Sequence, residues 1–276
     1  MVLAGILLLC ITLYRKRSIF KTLRKGKGLY EICILAITNI YITNVLELWG
    51  LKYLTSFKTC FLYSLSPFLS ALIAYLSWGE KLNRKKQIGL LVGFCGFLPM
   101  LVSTTSLEQA VGEIWIFSWA ELAVLGAVLF SVYGWIILKE LIHTHKTDPL
   151  LANGWSMLLG GILALMHSAV FEGLYPIPVT NFPIFIKCTL LLIVISNVIA
   201  YNLYGHLLKR FSPTFMSFAG LSTALFSAFF GWLFLDEKVT LVFFFSLSVV
   251  FLGLFLFYRE ELKQNALPLE STPPAP

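Results

Sequence analysis

One stretch of this chain occurs in it twice. Residues 51–82 read LKYLTSFKTCFLYSLSPFLSALIAYLSWGEKL, and residues 208–239 read LKRFSPTFMSFAGLSTALFSAFFGWLFLDEKV. One offset of 157 places Lys52 on Lys209, Phe61 on Phe218, Ser70-Ala71 on Ser227-Ala228, Leu76 on Leu233 and Glu80-Lys81 on Glu237-Lys238. The register continues without a gap to Leu90 with Leu247, Phe94 with Phe251 and Gly96 with Gly253. Shared composition arises by chance in apolar helices, but a register that runs through a charged turn into the next helix does not. The chain is an internal duplication, and its fold must accommodate two copies of one unit.

The solvent of that fold follows from composition. The chain is 58% hydrophobic and 13% charged, about half the charge of a soluble domain, so it belongs in a membrane. Apolar runs fall at 1–14, 29–50, 56–78, 87–103, 114–138, 149–171, 183–208, 213–235 and 239–258. Most approach the ~20 residues of a spanning helix; the first would rise only about 21 Å against a hydrocarbon core of roughly 30 Å.

Charge placement sets the topology. One set of alternate loops carries Arg15 to Lys27, Lys81 to Lys86, Lys139 with Lys146, Lys209 with Arg210, and Arg259 with Lys263, which is 17 of the 21 Lys and Arg residues. By the positive-inside rule these loops face the cytoplasm, the C-terminus is cytoplasmic, and the net charge of +7 reports topology rather than nucleic-acid binding. Lys52 and Lys238 fall in the opposite loops, and Lys58 and Lys187 lie just inside helix ends, where long stems can snorkel. Positive charge follows the first apolar run instead of preceding it, so that run is not a signal peptide. The five cysteines stand singly, with no CxxC pair, which points away from disulfides and metal.

The duplication also predicts helices. The second half holds five segments and the first half four, and subtracting 157 from 114–138 places a whole helix before residue 1. The expected plan is an all-α membrane protein of ten helices in two inverted five-helix repeats, of which nine segments are visible. The repeats occupy 1–103 and 114–258, and a polar, Pro-rich cytoplasmic tail expected to be disordered occupies 259–276. Two odd-numbered repeats must run in opposite senses, the plan of many secondary transporters with a substrate site at the repeat interface.

With Leu51-Lys52, Pro67, Glu80, Gly89 and Gly96 in one half and Leu208-Lys209, Ser212-Pro213, Glu237 and Gly253 in the other, the chain resembles the drug/metabolite transporter superfamily, in its EamA-domain branch. Ala224 departs from that pattern where Pro67 predicts a proline. The resemblance implies a secondary carrier, without catalytic residues, that moves a small polar metabolite across the inner cell membrane by alternating access. It implies substrates such as amino acids, nucleosides, drugs or S-adenosylmethionine, the last exchanged for S-adenosylhomocysteine in some relatives. Amino-acid or drug export is the second carrier reading, and a non-transporting membrane scaffold is the third.

The residues themselves narrow where a substrate could sit. Polar groups within the bilayer need a partner or a cavity. The run 29–50 holds Glu31, Asn39, Asn44 and Glu47, and its repeat mate 183–208 holds Lys187, Asn197, Tyr201, Asn202 and Tyr204. Asn197, Tyr201 and Tyr204 form one helical stripe, and the offset maps them onto Ile40, Asn44 and Glu47. The same face of two equivalent helices is therefore polar. Asn39, Asn44, Glu47, Asn197, Tyr201 and Tyr204 are the expected cavity lining, with helix bridging as the competing role for each amide and phenol. Glu47 is suited to a substrate ammonium or sulfonium or to a coupling proton, with a pair to Lys58 as the alternative. Tyr63, Tyr133 and Trp135 offer aromatic faces for a cation or a planar base, or serve as bulk or interfacial anchors. Glu80 and Glu237 fall on opposite sides and read as turn and cap residues; His143 and His145 share one loop without a third metal ligand. The chain has no Walker A sequence and no dinucleotide glycine fingerprint, so no cofactor is expected. The expected partners are the lipid bilayer, the metabolite and a proton or counter-substrate, with no nucleic acid.

Overall fold

A computed structural model describes residues 1–14, 26–78, 83–102, 106–115, 117–171, 179, 181–210, 216, 220–238 and 240–266. The basic run at 15–25, Glu80 with Lys81, Pro213 and the tail beyond 266 lie outside the described residues. The elements run α1 (Val2–Tyr14), α2 (Gly26–Leu35), a π-helical stretch π1 (Ala36–Ile42), α3 (Thr43–Leu51), α4 (Ser56–Tyr63), α5 (Ser66–Trp78), α6 (Arg84–Val102) and α7 (Ser106–Val111). A two-residue hairpin, β1 (Glu113–Ile114) with β2 (Phe117–Ser118), precedes α8 (Trp119–Thr144), α9 (Pro149–Phe171), α10 (Phe182–Leu191), a second π-helical stretch π2 (Leu192–Ala200) and α11 (Tyr201–Leu207). The chain ends in α12 (Leu221–Leu235) and α13 (Leu241–Ala266). Among the described residues, Gly28–Leu51, Trp119–Thr144, Pro149–Phe171, Phe182–Leu207 and Leu241–Glu260 are long and apolar enough to cross a membrane. The all-α membrane fold with inverted repeats stands.

Local chemistry sets several boundaries that the apolar runs alone misplace. The run expected from 114 begins helically only at Trp119, because Ser118 and Glu121 cap each other. The Glu121 N–H donates to Ser118 Oγ at 3.1 Å, and the Ser118 N–H donates to Glu121 Oε2 at 2.8 Å, a reciprocal capping box. The run 56–78 is broken at Ser64–Leu65, one residue before α5 begins at Ser66. Pro67 cannot donate a backbone bond, and its ring would meet the carbonyl of Tyr63 in a continuous helix. Its repeat mate Ala224 instead lies buried inside α12. Residues 259–266, expected to open the tail, continue α13 to Ala266. Glu260 Oε1 accepts from Asn83 Nδ2 at 3.0 Å there.

Two compact units result. The first comprises Met1–Glu47 and Leu129–Met216, the second Leu48–Val128 and Ser217–Pro276. Each therefore draws helices from both sequence repeats. In the first unit α1 packs on its repeat mate α9, while α9 lies along π1 and α1 along π2, an exchange that a pseudo-two-fold relation requires. A Cβ on Gly5 of α1 would sit 2.6 Å from the backbone nitrogen of Leu158 in α9, so only glycine permits this approach. In the second unit α6 packs on its mate α13, where a Cβ on Gly89 would lie 2.8 Å from the Gly253 carbonyl oxygen. Lipid is as apolar as a helix face, so association rests on such close contact and on polar bridges rather than on water release.

Candidate functional site

The two π-helical stretches occupy equivalent places. The offset of 157 carries Ala36–Ile42 onto residues 193–199, inside Leu192–Ala200. Each stretch closes with a bond five residues long: the Thr43 N–H donates to the Thr38 carbonyl, and the Tyr201 N–H to the Ser196 carbonyl. Such widened turns leave carbonyls that ordinary helical bonding serves badly, and π-bulges recur at functional sites. Polar side chains bond carbonyls in both stretches. Thr43 Oγ1 donates to the Thr38 carbonyl at 2.8 Å and Asn44 Nδ2 to the Ile40 carbonyl at 2.7 Å. In the second stretch Asn202 Nδ2 donates to the Val198 carbonyl at 2.8 Å.

Within the first unit, the residues just past these stretches converge. The Asn44 side chain is hydrogen-bonded to the Tyr201 hydroxyl, and the Glu47 carboxylate lies within electrostatic reach of it. The Trp135 ring of α8 packs on Tyr204 with centroids 4.1 Å apart and planes at 33°, and on Tyr201 at 5.2 Å and 39°. One carboxylate, one amide, two phenols and one indole are thus gathered from α3, α8 and α11. Aromatic faces attract cations, indole most strongly, by ~0.5–2 kcal/mol depending on desolvation. A carboxylate beside them adds net attraction for positive charge. The set is chemically fitted to a cation that carries a flat ring.

The other expected site residues take different places. Asn39 is buried in π1 and bridges helices: its Nδ2 donates to the Ser131 carbonyl at 3.1 Å, beside Gly134. Asn197 is buried in π2. Tyr133 is 41% exposed and lies two residues before Trp135, so its side chain leaves α8 about 200° round from the indole. Tyr63 belongs to the second unit, at the end of α4.

The structure also adds polar groups that the sequence pattern did not single out. Asn153, buried in α9, donates through Nδ2 to the Tyr201 carbonyl and to Asn202 Oδ1, each at 3.2 Å. Tyr41 and His167 meet at 2.7 Å. The rule that marks Asn44, a polar side chain in an apolar run, applies equally to all three. Lys58, expected to snorkel, is instead buried at 2% exposure, with Nζ 2.8 Å from Oε1 of the fully buried Glu121. Glu237 Oε1 accepts the Ser56 N–H at 2.8 Å and so caps α4 rather than its own helix. His143 faces the Leu208 carbonyl at 3.3 Å and His145 faces Glu31 at 3.2 Å.

The EamA-like transporter family model matches residues 1–102 and 118–259. A protein of Chlamydia muridarum (strain MoPn / Nigg), named S-adenosylmethionine/S-adenosylhomocysteine transporter, is 38% identical over 96% of this chain and 82% of its own length. A protein of the same name from Chlamydia trachomatis serovar L2 is 37% identical over 96% of this chain and 80% of its own length. A solved structure described as a crystal structure of protein superposes with a TM-score of 0.65 at 15% identity, over 98% of this chain and 86% of that one. That likeness concerns the fold.

Proposed function

The chain belongs to the EamA-like transporter family and is a multi-pass membrane transporter, not an enzyme, and on that premise we propose that it takes up S-adenosylmethionine in exchange for S-adenosylhomocysteine. The observation that carries this reading is the Tyr201 hydroxyl, bonded to Asn44 and within electrostatic reach of Glu47, on a ring that shares Trp135 with Tyr204. S-adenosylmethionine presents a sulfonium, an ammonium and an adenine; the two cationic groups suit a carboxylate and aromatic faces, and the purine suits stacking. The relatives named for this substrate pair support the same chemistry.

Each group has its own role. Glu47 attracts the positive groups of the substrate, the Trp135 face takes the sulfonium or the adenine, and Asn44 orients the Tyr201 hydroxyl. An exchanger must also hold the product, which lacks the sulfur charge. A cation–π contact of ~2 kcal/mol gives about a thirtyfold preference between the two, enough to favour one while still admitting the other. Alternating access works without a bound cofactor, and the Lys and Arg distribution supports basic loops and a C-terminus on the cytoplasmic side.

Uptake of labelled S-adenosylmethionine by cells making the full chain tests the reading. Saturable uptake blocked by unlabelled S-adenosylhomocysteine, and abolished by Glu47→Gln in a chain that still inserts, is expected. Competition by free amino acids or drugs with none by S-adenosylhomocysteine would replace it with the amino-acid or drug carrier reading.

A further inference from the structure

An open hollow of about 410 Å³ in the first unit lies where α8 ends, α9 begins and the chain leaves α11. Its lining is Ile142, His143, Lys146, Thr147, Asp148 and Lys209. Lys146 and Lys209 are exposed, and 62 residues separate them in the chain, so the fold rather than local sequence brings two ammonium groups to one hollow. The walls are fixed at several points. The Thr147 N–H donates to the Leu141 carbonyl at 3.2 Å, and the Asp148 carbonyl accepts from Leu151 and Ala152 at 3.0 and 3.1 Å. His143 meets the Leu208 carbonyl at 3.3 Å, tying the end of α8 to the end of α11. Lys146 is held in the left-handed region at φ 50°, a conformation that a lysine adopts at some cost.

The charges specify the ligand. Two ammonium groups suit a phosphate, and Asp148 would repel a simple anion while favouring a second, positive group. A phosphate joined by a short link to a primary ammonium satisfies both. The helices that end here are 26, 23 and, for Phe182–Leu207, 26 residues long and apolar, so their ends lie at headgroup depth, where basic pockets between spanning helices bind lipid headgroups. We propose that this hollow binds the phosphoethanolamine headgroup of a membrane phospholipid, with Lys146 and Lys209 on the phosphate and Asp148 on the ammonium. A choline headgroup offers no N–H to the carboxylate, which makes the carboxylate the source of discrimination.

Native mass spectrometry of the full chain in detergent tests this, with phosphatidylethanolamine, phosphatidylcholine, phosphatidylglycerol and soluble glycerophosphoethanolamine as probes. Phosphatidylethanolamine is expected to bind about tenfold more tightly than phosphatidylcholine, and soluble glycerophosphoethanolamine much more weakly than either. Asp148→Asn should bring the two zwitterionic lipids within about twofold of each other while preserving the fold, because asparagine caps a helix as well as aspartate does. The double variant Lys146→Gln/Lys209→Gln should lose both lipids with helical content unchanged by circular dichroism. Equal binding of the two zwitterionic lipids to the native chain, or a preference that survives Asp148→Asn, would overturn the assignment. Tighter binding of phosphatidylglycerol than of phosphatidylethanolamine would do the same, as would soluble glycerophosphoethanolamine competing as well as lipid.

Discussion

Trp135 carries the largest aromatic surface at the proposed site, and its ring is held by Tyr204 and Tyr201 together. Replacing it by leucine removes a cation–π partner of ~0.5–2 kcal/mol, so the KM for S-adenosylmethionine should rise about two- to thirtyfold. The apparent affinity for S-adenosylhomocysteine should change less, which transport assays with both ligands will read directly. Asn153 acts one step back, through the Tyr201 carbonyl and Asn202. Asn153→Leu strands the buried Asn202 Oδ1 acceptor, a loss of ~1–3 kcal/mol, and should lower the thermal midpoint as well as substrate affinity. Asn44, Glu47, Tyr201 and Tyr204 were legible as polar members of two equivalent helices, since a polar side chain in an apolar run declares itself; their substrate role is the proposal under test. That Trp135 meets the two tyrosines while Tyr133 turns away was not legible, because it depends on how α8 rotates against α11. Asn39 illustrates the same limit: its sequence position fits a cavity or a bridge, and its bond to the Ser131 carbonyl makes it a bridge.

Among the elements, the paired π-helical stretches precede the residues of the proposed site. Each inserts extra backbone into one turn, and π2 delivers Tyr201 and Tyr204 at its end. Deleting Val198 would return π2 toward an ordinary helix and rotate α11 by about 100°. Transport should then fall to background while the chain still inserts, as surface labelling and uptake will show. Nothing in the residues LIVISNVIA signals such a stretch, since none is a helix breaker. The break before α5 was legible from Pro67, and the start of α8 from Ser118 and Glu121 once read as a capping box. The Lys58–Glu121 pair supplies a further test. Removing one partner leaves a buried charge, so Lys58→Met should cost ~3–5 kcal/mol, and Lys58→Met/Glu121→Leu should recover part of that loss in thermal unfolding.

For the whole molecule, the duplication was the most legible property of the chain, because a single offset needs no structure to be seen. It anticipated that equivalent helices would have equivalent surroundings, and α1 on α9 and α6 on α13 are such pairs. The interleaving was not legible: each compact unit takes helices from both repeats, which depends on long-range packing that no local pattern encodes. The glycines that the pattern supplied proved to be contact points, and Gly253→Leu should separate α6 from α13 and leave little folded protein in the membrane. Exchange of S-adenosylmethionine for S-adenosylhomocysteine is read by counterflow. Purified full-length chain in liposomes preloaded with S-adenosylhomocysteine should accumulate external labelled S-adenosylmethionine transiently above equilibrium, and liposomes preloaded with buffer should not. Equal, non-concentrating entry into both, or entry into neither by a correctly inserted chain, would contradict exchange of this substrate pair.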